Sequence, residues 1–132
     1  MNPSALVDTD ILIDVSRGDA AAVEFLIAME STGEPAISVV TALEVLAGCR
    51  NKRDFSVAER FLGRFRTMAL SAEGETEARR LFKRYRLSHG LMIPDCLIAA
   101  TAMAAGIPLA TKNRRDFVFI DGLALLPFGD KS

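Results

Sequence analysis

Acidic residues stand at the boundaries of apolar segments at four places in this chain, and this feature constrains its fold most. Asp8 ends the segment Ala-Leu-Val, Glu44 lies inside Ala-Leu-Glu-Val-Leu, Asp95 opens Asp-Cys-Leu-Ile-Ala-Ala, and Asp116 precedes a phenylalanine. A carboxylate among core-forming residues is costly to bury unless another group pairs with it. Mg²⁺ and Mn²⁺ are suitable partners because they prefer hard oxygen ligands. The pattern predicts a fold that gathers these acids into one metal site.

Composition is consistent with a single globular domain over residues 1–132. The chain is 50% hydrophobic, which is enough for a core at this length. The net charge of −1 gives no overall attraction to nucleic acid. Basic residues are clustered, however, which weakly favours a polyanionic partner and equally fits solvated helix faces. The clusters are Arg50, Lys52 and Arg53; Arg60, Arg64 and Arg66; Arg79, Arg80, Lys83, Arg84 and Arg86; and Lys112, Arg114 and Arg115.

The cysteines and the N-terminus indicate a cytoplasmic protein. Cys49 and Cys96 lie in apolar contexts without metal-type spacing, so we expect reduced core residues. The N-terminus lacks a basic n-region, and Asp8, Asp10 and Asp14 interrupt its apolar run. We therefore expect neither a signal peptide nor a membrane span.

Apolar segments of strand and helix type alternate along the chain. The predicted strands are residues 4–7, 36–37, 68–70 and 109–111, followed by extended segments at 117–120 and 123–126. The predicted helices are 11–15, 20–30, one capped by Ser38 or Thr41 and ending at Gly48, one beginning at Asp54, one from Ser71 to Ser88, and 95–105. In the helix 20–30 the inner face is predicted to carry Val23, Leu26 and Ile27. This alternation predicts an α/β fold with a parallel sheet covered on both sides.

In an open parallel sheet, ligands bind outside the carboxyl ends of the strands. Asp8 ends the first strand, and Asp116 follows the strand that ends at Thr111. Glu44 lies about one turn into the helix after the second strand, and Asp95 lies in the first turn of a buried helix. Each acid taken alone has a structural explanation, such as a strand end, an exposed helix position, the helix dipole or a turn cap. None of these explains the set.

The chemistry of such a site would be phosphodiester hydrolysis by metal-activated water, with one or two ions. Thr9, Thr111 and Asn113 are expected to orient water or a carboxylate from outside the ligand set. The role of Asp10 is left open, and Asp14 is expected to be a surface or helix-end residue.

Other site types are excluded. His89 is the only histidine and is expected in a loop, so a histidine-paired metal site and a two-histidine ribonuclease are ruled out. The chain also lacks a Walker loop and a GxGxxG segment, so glycines are not expected to cradle a phosphate.

At these residues the chain resembles the PIN-domain nucleases, and within them the VapC-like toxins of toxin–antitoxin pairs. The similar motifs are Val-Asp8-Thr-Asp-Ile-Leu-Ile-Asp, Thr41-Ala-Leu-Glu44-Val-Leu-Ala-Gly, Asp95-Cys-Leu-Ile-Ala-Ala-Thr-Ala and Thr111-Lys-Asn-Arg-Arg-Asp116-Phe. They occur in the family's order over nearly the whole chain. The resemblance implies a three-layer α/β/α fold and an Mg²⁺- or Mn²⁺-dependent endoribonuclease. It also implies a VapB-like antitoxin partner, commonly a homodimer, and a catalytic and metal-binding role for Asp8, Glu44, Asp95 and Asp116.

Three alternative assignments fit parts of the same pattern. A phosphatase of the haloacid dehalogenase type needs a hydroxyl residue where Leu12 stands, and the chain leaves no room for a cap. A phosphoacceptor receiver domain needs an aspartate at the end of a mid-chain strand, but Asp54 is predicted to begin a helix. A catalytically silent PIN fold used for interaction remains open. Metal-dependent cleavage of single-stranded RNA would separate the nuclease from both binding alternatives.

Overall fold

A five-stranded sheet, in which every strand pair is parallel, forms the centre of the computed structural model, which describes residues 3–128. The strands are β1 (Ala5–Val7), β2 (Pro35–Ser38), β3 (Arg66–Met68), β4 (Leu109–Thr111) and β5 (Leu125–Pro127). Their spatial order is β3-β2-β1-β4-β5. Leu6 of β1 is in register with Ala36 on one side and Leu109 on the other. The first strand is therefore central, and Asp8 emerges from the middle of the sheet.

Helices cover both faces of the sheet. Within the described residues they are α1 (Thr9–Ser16), α2 (Ala20–Thr32), α3 (Val39–Ala47), α4 (Lys52–Leu62), α5 (Ala72–His89) and α6 (Ile93–Ala105), with a short 3-10 helix at Arg114–Asp116. None of these helices is long and apolar enough to cross a membrane.

Alternate residues of β1 point to two separate cores, as the two-residue period of a strand requires. Leu6 packs with α5 and α6, whereas Ala5 and Val7 pack with α1 and α2. This arrangement confirms the predicted three-layer α/β/α architecture. The predicted single domain over residues 1–132 extends beyond the described part, because residues 1–2 and 129–132 lie outside it.

Helix caps follow the sequence closely, with one exception. Asp19, Ser38 and Ser71 each accept a hydrogen bond from a backbone N–H in the first turn of the next helix. The helix predicted to begin at Asp54 begins earlier. Asn51 caps α4 by accepting from the Asp54 N–H at 2.8 Å, so Asp54 lies inside the first turn.

Three further local predictions were wrong. Ile27 is 59% exposed, and the inner face of α2 instead carries Ala22 and Met29 beside Leu26. The third strand lies at Arg66–Met68 rather than at 68–70. Residues 117–120 form turns rather than an extended segment, although Phe117 and Ile120 are buried. The periodicity of a short apolar segment does not distinguish a strand from a turn or fix its bounds.

Candidate functional site

An acidic cavity of about 220 Å³ lies at the carboxyl edge of the sheet, and all four predicted acids line it. Asp8 follows β1, Glu44 belongs to α3, Asp95 lies in the first turn of α6, and Asp116 ends the 3-10 helix after β4. The remaining lining residues are Thr9, Asp10, Ile13 and Asn113. The fold thus brings together side chains that are distant in sequence.

Asp8 is the most enclosed of the four carboxylates, with only 5% of the residue exposed. Its Oδ1 accepts the Thr9 N–H at 2.8 Å, and its Oδ2 accepts the Thr111 hydroxyl at 2.8 Å. Burial raises the pKa of Asp8, while the bonds from Thr111 and Thr9 partly oppose the rise; Asp10 and Glu44 add to it. Asp8 is therefore a carboxylate held in a fixed position, and a nearby cation would stabilise its ionised form.

A chain of hydroxyl groups holds Glu44. The Thr9 hydroxyl donates to Glu44 Oε1 at 2.6 Å and lies 2.8 Å from the Thr41 hydroxyl. A hydroxyl has one proton, so Thr41 must donate to Thr9. The Ser38 hydroxyl in turn donates to Thr41 Oγ1 at 3.3 Å. The hydrogen bonds therefore all point in one direction, from Ser38 through Thr41 and Thr9 to the Glu44 carboxylate.

Ser38 and Thr41 had been predicted only as possible helix caps. A sequence signal for Thr41 does exist: it lies three residues before Glu44, and residues at that spacing share one face of a helix. The residues around Thr41 in the sequence do not indicate its contact with Thr9, which belongs to another helix.

Asn113 and Thr111 link the loop after β4 to α1. The Asn113 N–H donates to Thr111 Oγ1 at 2.9 Å, and its side-chain amide donates to Asp10 Oδ2. Asp10 therefore lies in the cavity wall with a partner. Asp14 instead pairs with Lys112, and this bond raises the pKa of Lys112. Asp14 does not line the acidic cavity.

The neighbouring acids change the pKa of Asp95. Burial first, and then the charges of Asp8, Asp116 and Glu44, raise the pKa of Asp95 to about 6. Neighbouring carboxylates have this effect because like charges disfavour ionisation. Asp116 is exposed and forms the outer rim of the cavity.

The donor set fits a hard divalent cation, because every charged group that lines the cavity is a carboxylate. A cation would also relieve the repulsion that raises the Asp95 pKa. Within residues 3–128, however, no three acidic, histidine or cysteine side chains already converge as a metal site. A cation held by three or more of these carboxylates would require their side chains to lie closer together than they do here.

Known proteins share this fold and much of this sequence. The PIN domain family matches residues 5–123. Ribonuclease VapC10 of Mycobacterium tuberculosis is 37% identical over 119 residues, which cover 89% of each chain. Ribonuclease VapC19 of the same species is 38% identical over 117 residues, covering 85% of this chain and 90% of the relative.

Solved structures agree. A toxin–antitoxin complex from Klebsiella pneumoniae contains a chain that is 32% identical, with a TM-score of 0.75 and coverage of 92% of this chain and 96% of that one. VapBC2 from Rickettsia felis, bound to a promoter DNA fragment, is 24% identical with a TM-score of 0.80 and coverage of 93% and 97%; at that identity it supports the fold alone. Divalent metals are general to PIN-domain ribonucleases. The predicted resemblance is confirmed, and this chain belongs to the PIN domain family and, within it, to the VapC ribonucleases.

Proposed function

We propose that this protein is the toxin of a VapBC-type toxin–antitoxin pair and cleaves RNA endonucleolytically with Mg²⁺ or Mn²⁺ in the acidic cavity. The observation that carries the proposal is the convergence of four carboxylates from separate elements on one cavity of about 220 Å³. The 37% identity to Ribonuclease VapC10 supports the reaction class. The 32% identity to a chain of a toxin–antitoxin complex supports the partner.

We assign the ion to Asp8, Glu44, Asp95 and Asp116. Bound there, a divalent ion supplies Lewis-acid polarisation of the scissile phosphate and increases the acidity of water. Asp8 and Glu44 are held by hydroxyl donors, so they form the rigid side of the site. The pKa of Asp95 is raised to about 6, so this carboxyl group must lose its proton before the site carries its full negative charge. Thr9 and Thr111 orient carboxylates, and Asn113 holds Asp10.

We assign the antitoxin to a groove of about 650 Å³ that adjoins the acidic cavity. Ile13 and Glu44 line both spaces, so a segment lying in the groove reaches the acids. Val57 and Phe61 of α4 provide apolar surface there. Two amphipathic segments of this chain are candidates for the contact, residues 23–29 and 57–65. The lining of the groove supports only the second.

The groove also suggests how inhibition works. An amphipathic helix of a VapB-like antitoxin would pack on α4, and one arginine of the antitoxin would pair bidentately with the carboxylates. Titrating the antitoxin's C-terminal segment into a cleavage assay, with the arginine intact and changed to alanine, tests this model. Equal inhibition by both segments would disprove the insertion of an arginine.

A cytoplasmic homodimer remains part of the proposal. Leu43 of α3 and Ile93 of α6 are 61% and 63% exposed, and apolar side chains of this size are suited to a protein interface. Sedimentation of the free toxin should show a dimer that Leu43→Asp dissociates.

The nuclease assignment is tested with purified protein and single-stranded RNA. Wild-type protein should cleave with Mg²⁺ or Mn²⁺ and lose activity in excess EDTA. Asp95→Asn should be inactive, whereas Asp121→Asn, the same change at an exposed residue that does not line the acidic cavity, should be fully active. Cleavage that persists in chelator would disprove the metal mechanism. Failure of the wild type to cleave with either ion would instead favour the silent interaction module.

A further inference from the structure

A second cleft, of about 260 Å³, opens directly beside the acidic cavity. Asp95 and Asp116 line both spaces, so the two are continuous. The far side of the cleft is different in chemistry from the acids: it carries two aromatic rings, from His89 and Phe119, and the guanidinium of Arg115. Neither the acid pattern nor the metal chemistry accounts for this arrangement.

The rings form a fixed stack. His89 lies on Phe119 with ring centroids 4.4 Å apart and planes 13° from parallel. Tyr85 packs against both rings, at 5.7 Å from His89 and 5.3 Å from Phe119. The Tyr85 hydroxyl accepts the Asp121 N–H at 3.1 Å, and the Ser88 hydroxyl is 2.8 Å from His89 Nδ1. Both rings are therefore held in place before any ligand arrives.

The loop that forms the rest of the wall is fixed as well. Gly90 ends α5 with a φ of 68°, a left-handed conformation that suits glycine. Arg86 Nη1 then donates to the Leu91 carbonyl at 3.1 Å and to the Gly90 carbonyl at 3.4 Å. A cleft with rigid walls loses little conformational entropy when it binds a flat ligand.

The charge of the cleft also favours a nucleotide. Arg115 forms no salt bridge with any residue in the part of the chain that the structure describes, so its charge is available to a phosphate. Aromatic rings bind nucleobases of any sequence, because every base has a π-face. The order across the site is thus acids, then guanidinium and rings, which matches a phosphate followed by its neighbouring base.

We infer that this cleft holds the base of a nucleotide adjoining the scissile phosphate, with His89 and Phe119 as the stacking surface and Arg115 on the backbone. The inference rests on the proposed ribonuclease function and specifies its substrate. A base inside a duplex is already stacked on its neighbours, so the cleft selects an unpaired nucleotide. His89 is therefore a specificity-determining residue, and Arg115 is a residue that binds the substrate backbone next to the reacting group.

An abasic scan tests the inference. An RNA oligonucleotide with a mapped cut is compared with versions that carry one abasic nucleotide at each position around the cut. In the wild type, one position adjoining the cut should lower kcat/KM on the order of tenfold, mainly through KM. His89→Ala should show a similar loss on the intact RNA and no further loss with the abasic one. His89→Phe, which keeps an aromatic ring, should restore the wild-type pattern.

Matched variants separate the cleft from general effects. Arg115→Gln should raise KM several-fold, whereas Arg60→Gln, the same change on α4, should not. Leu87 is 97% exposed one turn before the loop, so Leu87→Ala should leave KM unchanged. In an inactive Glu44→Gln background with Mg²⁺, anisotropy of a labelled oligonucleotide should show about tenfold weaker binding when His89→Ala is added.

The outcomes distinguish this inference from the proposed function. Active wild-type protein with no abasic-sensitive position, or with the same sensitivity in His89→Ala, overturns the base cleft and leaves the nuclease intact. Loss of antitoxin binding in His89→Ala with unchanged KM for RNA would assign the cleft to the protein partner and also overturn it. Wild-type protein that cleaves no RNA with either ion removes the proposed function, and the inference falls with it.

Discussion

The Thr111 hydroxyl donates a 2.8 Å hydrogen bond to Oδ2 of Asp8 and joins the ends of two neighbouring strands, β4 and β1, at the acidic cavity. Thr111 is itself fully buried, and its oxygen accepts the Asn113 N–H at 2.9 Å. The bond lowers the pKa of Asp8 against the effect of burial. Thr111 therefore helps to keep a buried carboxylate ionised and ready for a cation.

Thr111→Val should weaken the site and the fold together. Valine has nearly the same shape but leaves a buried carboxylate with one donor fewer, which costs about 1–3 kcal/mol. The pKa of Asp8 should rise further, so the affinity for Mg²⁺ at neutral pH should fall. Denaturant unfolding and metal titration measure both effects. Thr101→Val is the control, since the Thr101 hydroxyl donates only to a helix carbonyl at 2.8 Å; equal losses in both variants would refute a special role for Thr111.

Asp8→Asn and Asp95→Asn should both abolish cleavage but differ in stability. Asparagine at position 8 presents an NH₂ group where the carboxylate accepts from Thr9 or Thr111, so one donor loses its partner, at about 1 kcal/mol. Asp95→Asn removes only a repelling charge and should hold or raise the melting temperature of the metal-free protein. Thermal melts in EDTA check this, and a destabilised Asp95→Asn would show that Asp95 has a structural role.

The stability of the metal-free protein should fall as pH rises from about 4 to about 6. The Asp95 pKa is raised from 3.8 to about 6, so the folded state binds this proton more tightly than the unfolded chain. Between these values the unfolded chain releases the proton first, and the free energy of unfolding declines with pH. Solvent screening at this half-buried site limits the change to the order of 1 kcal/mol.

Asp95→Asn should flatten this slope, and saturating Mg²⁺ should reverse it, because the cation binds the ionised carboxylates. Urea unfolding at a series of pH values in EDTA and in Mg²⁺ gives the comparison. A wild-type stability that rises from pH 4 to pH 6 in EDTA with the same slope as Asp95→Asn would contradict the assigned charge repulsion.

Asp10 and Asp14, one helical turn apart, should behave differently. Asp10 lines the acidic cavity and accepts from Asn113, so Asp10→Asn should weaken metal binding several-fold. Asp14 pairs with Lys112 on the surface, and Asp14→Asn should cost at most about 1 kcal/mol in stability without altering metal affinity. Isothermal titration with Mg²⁺ and denaturant melts separate the two effects. Equal loss of affinity in both variants would place Asp14 in the site.

The sequence pattern predicted the α/β class, the parallel sheet and the positions of four acids at its carboxyl edge. These features follow from short-range rules. Local hydrophobic periodicity indicates strands and helices, and an acid at the boundary of an element can be recognised from its few neighbouring residues. The same rules failed where a segment was short. Residues 117–120 form turns although Phe117 and Ile120 are buried, and the third strand begins two residues earlier than predicted.

The tertiary structure alone decided which side chains meet. The bond from Thr111 to Asp8 spans 103 positions, and that from Thr9 to Glu44 spans 35. The Tyr85–Phe119 contact behind the second cleft also joins residues that are far apart in sequence. The prediction of His89 in a loop was wrong, because His89 is the last residue of α5 and lines that cleft. Sequence determined the kinds of groups available and the edge of the sheet that receives them. Which side chains contact each other at that edge depends on how helices and loops from distant segments pack. Local propensity does not predict that packing.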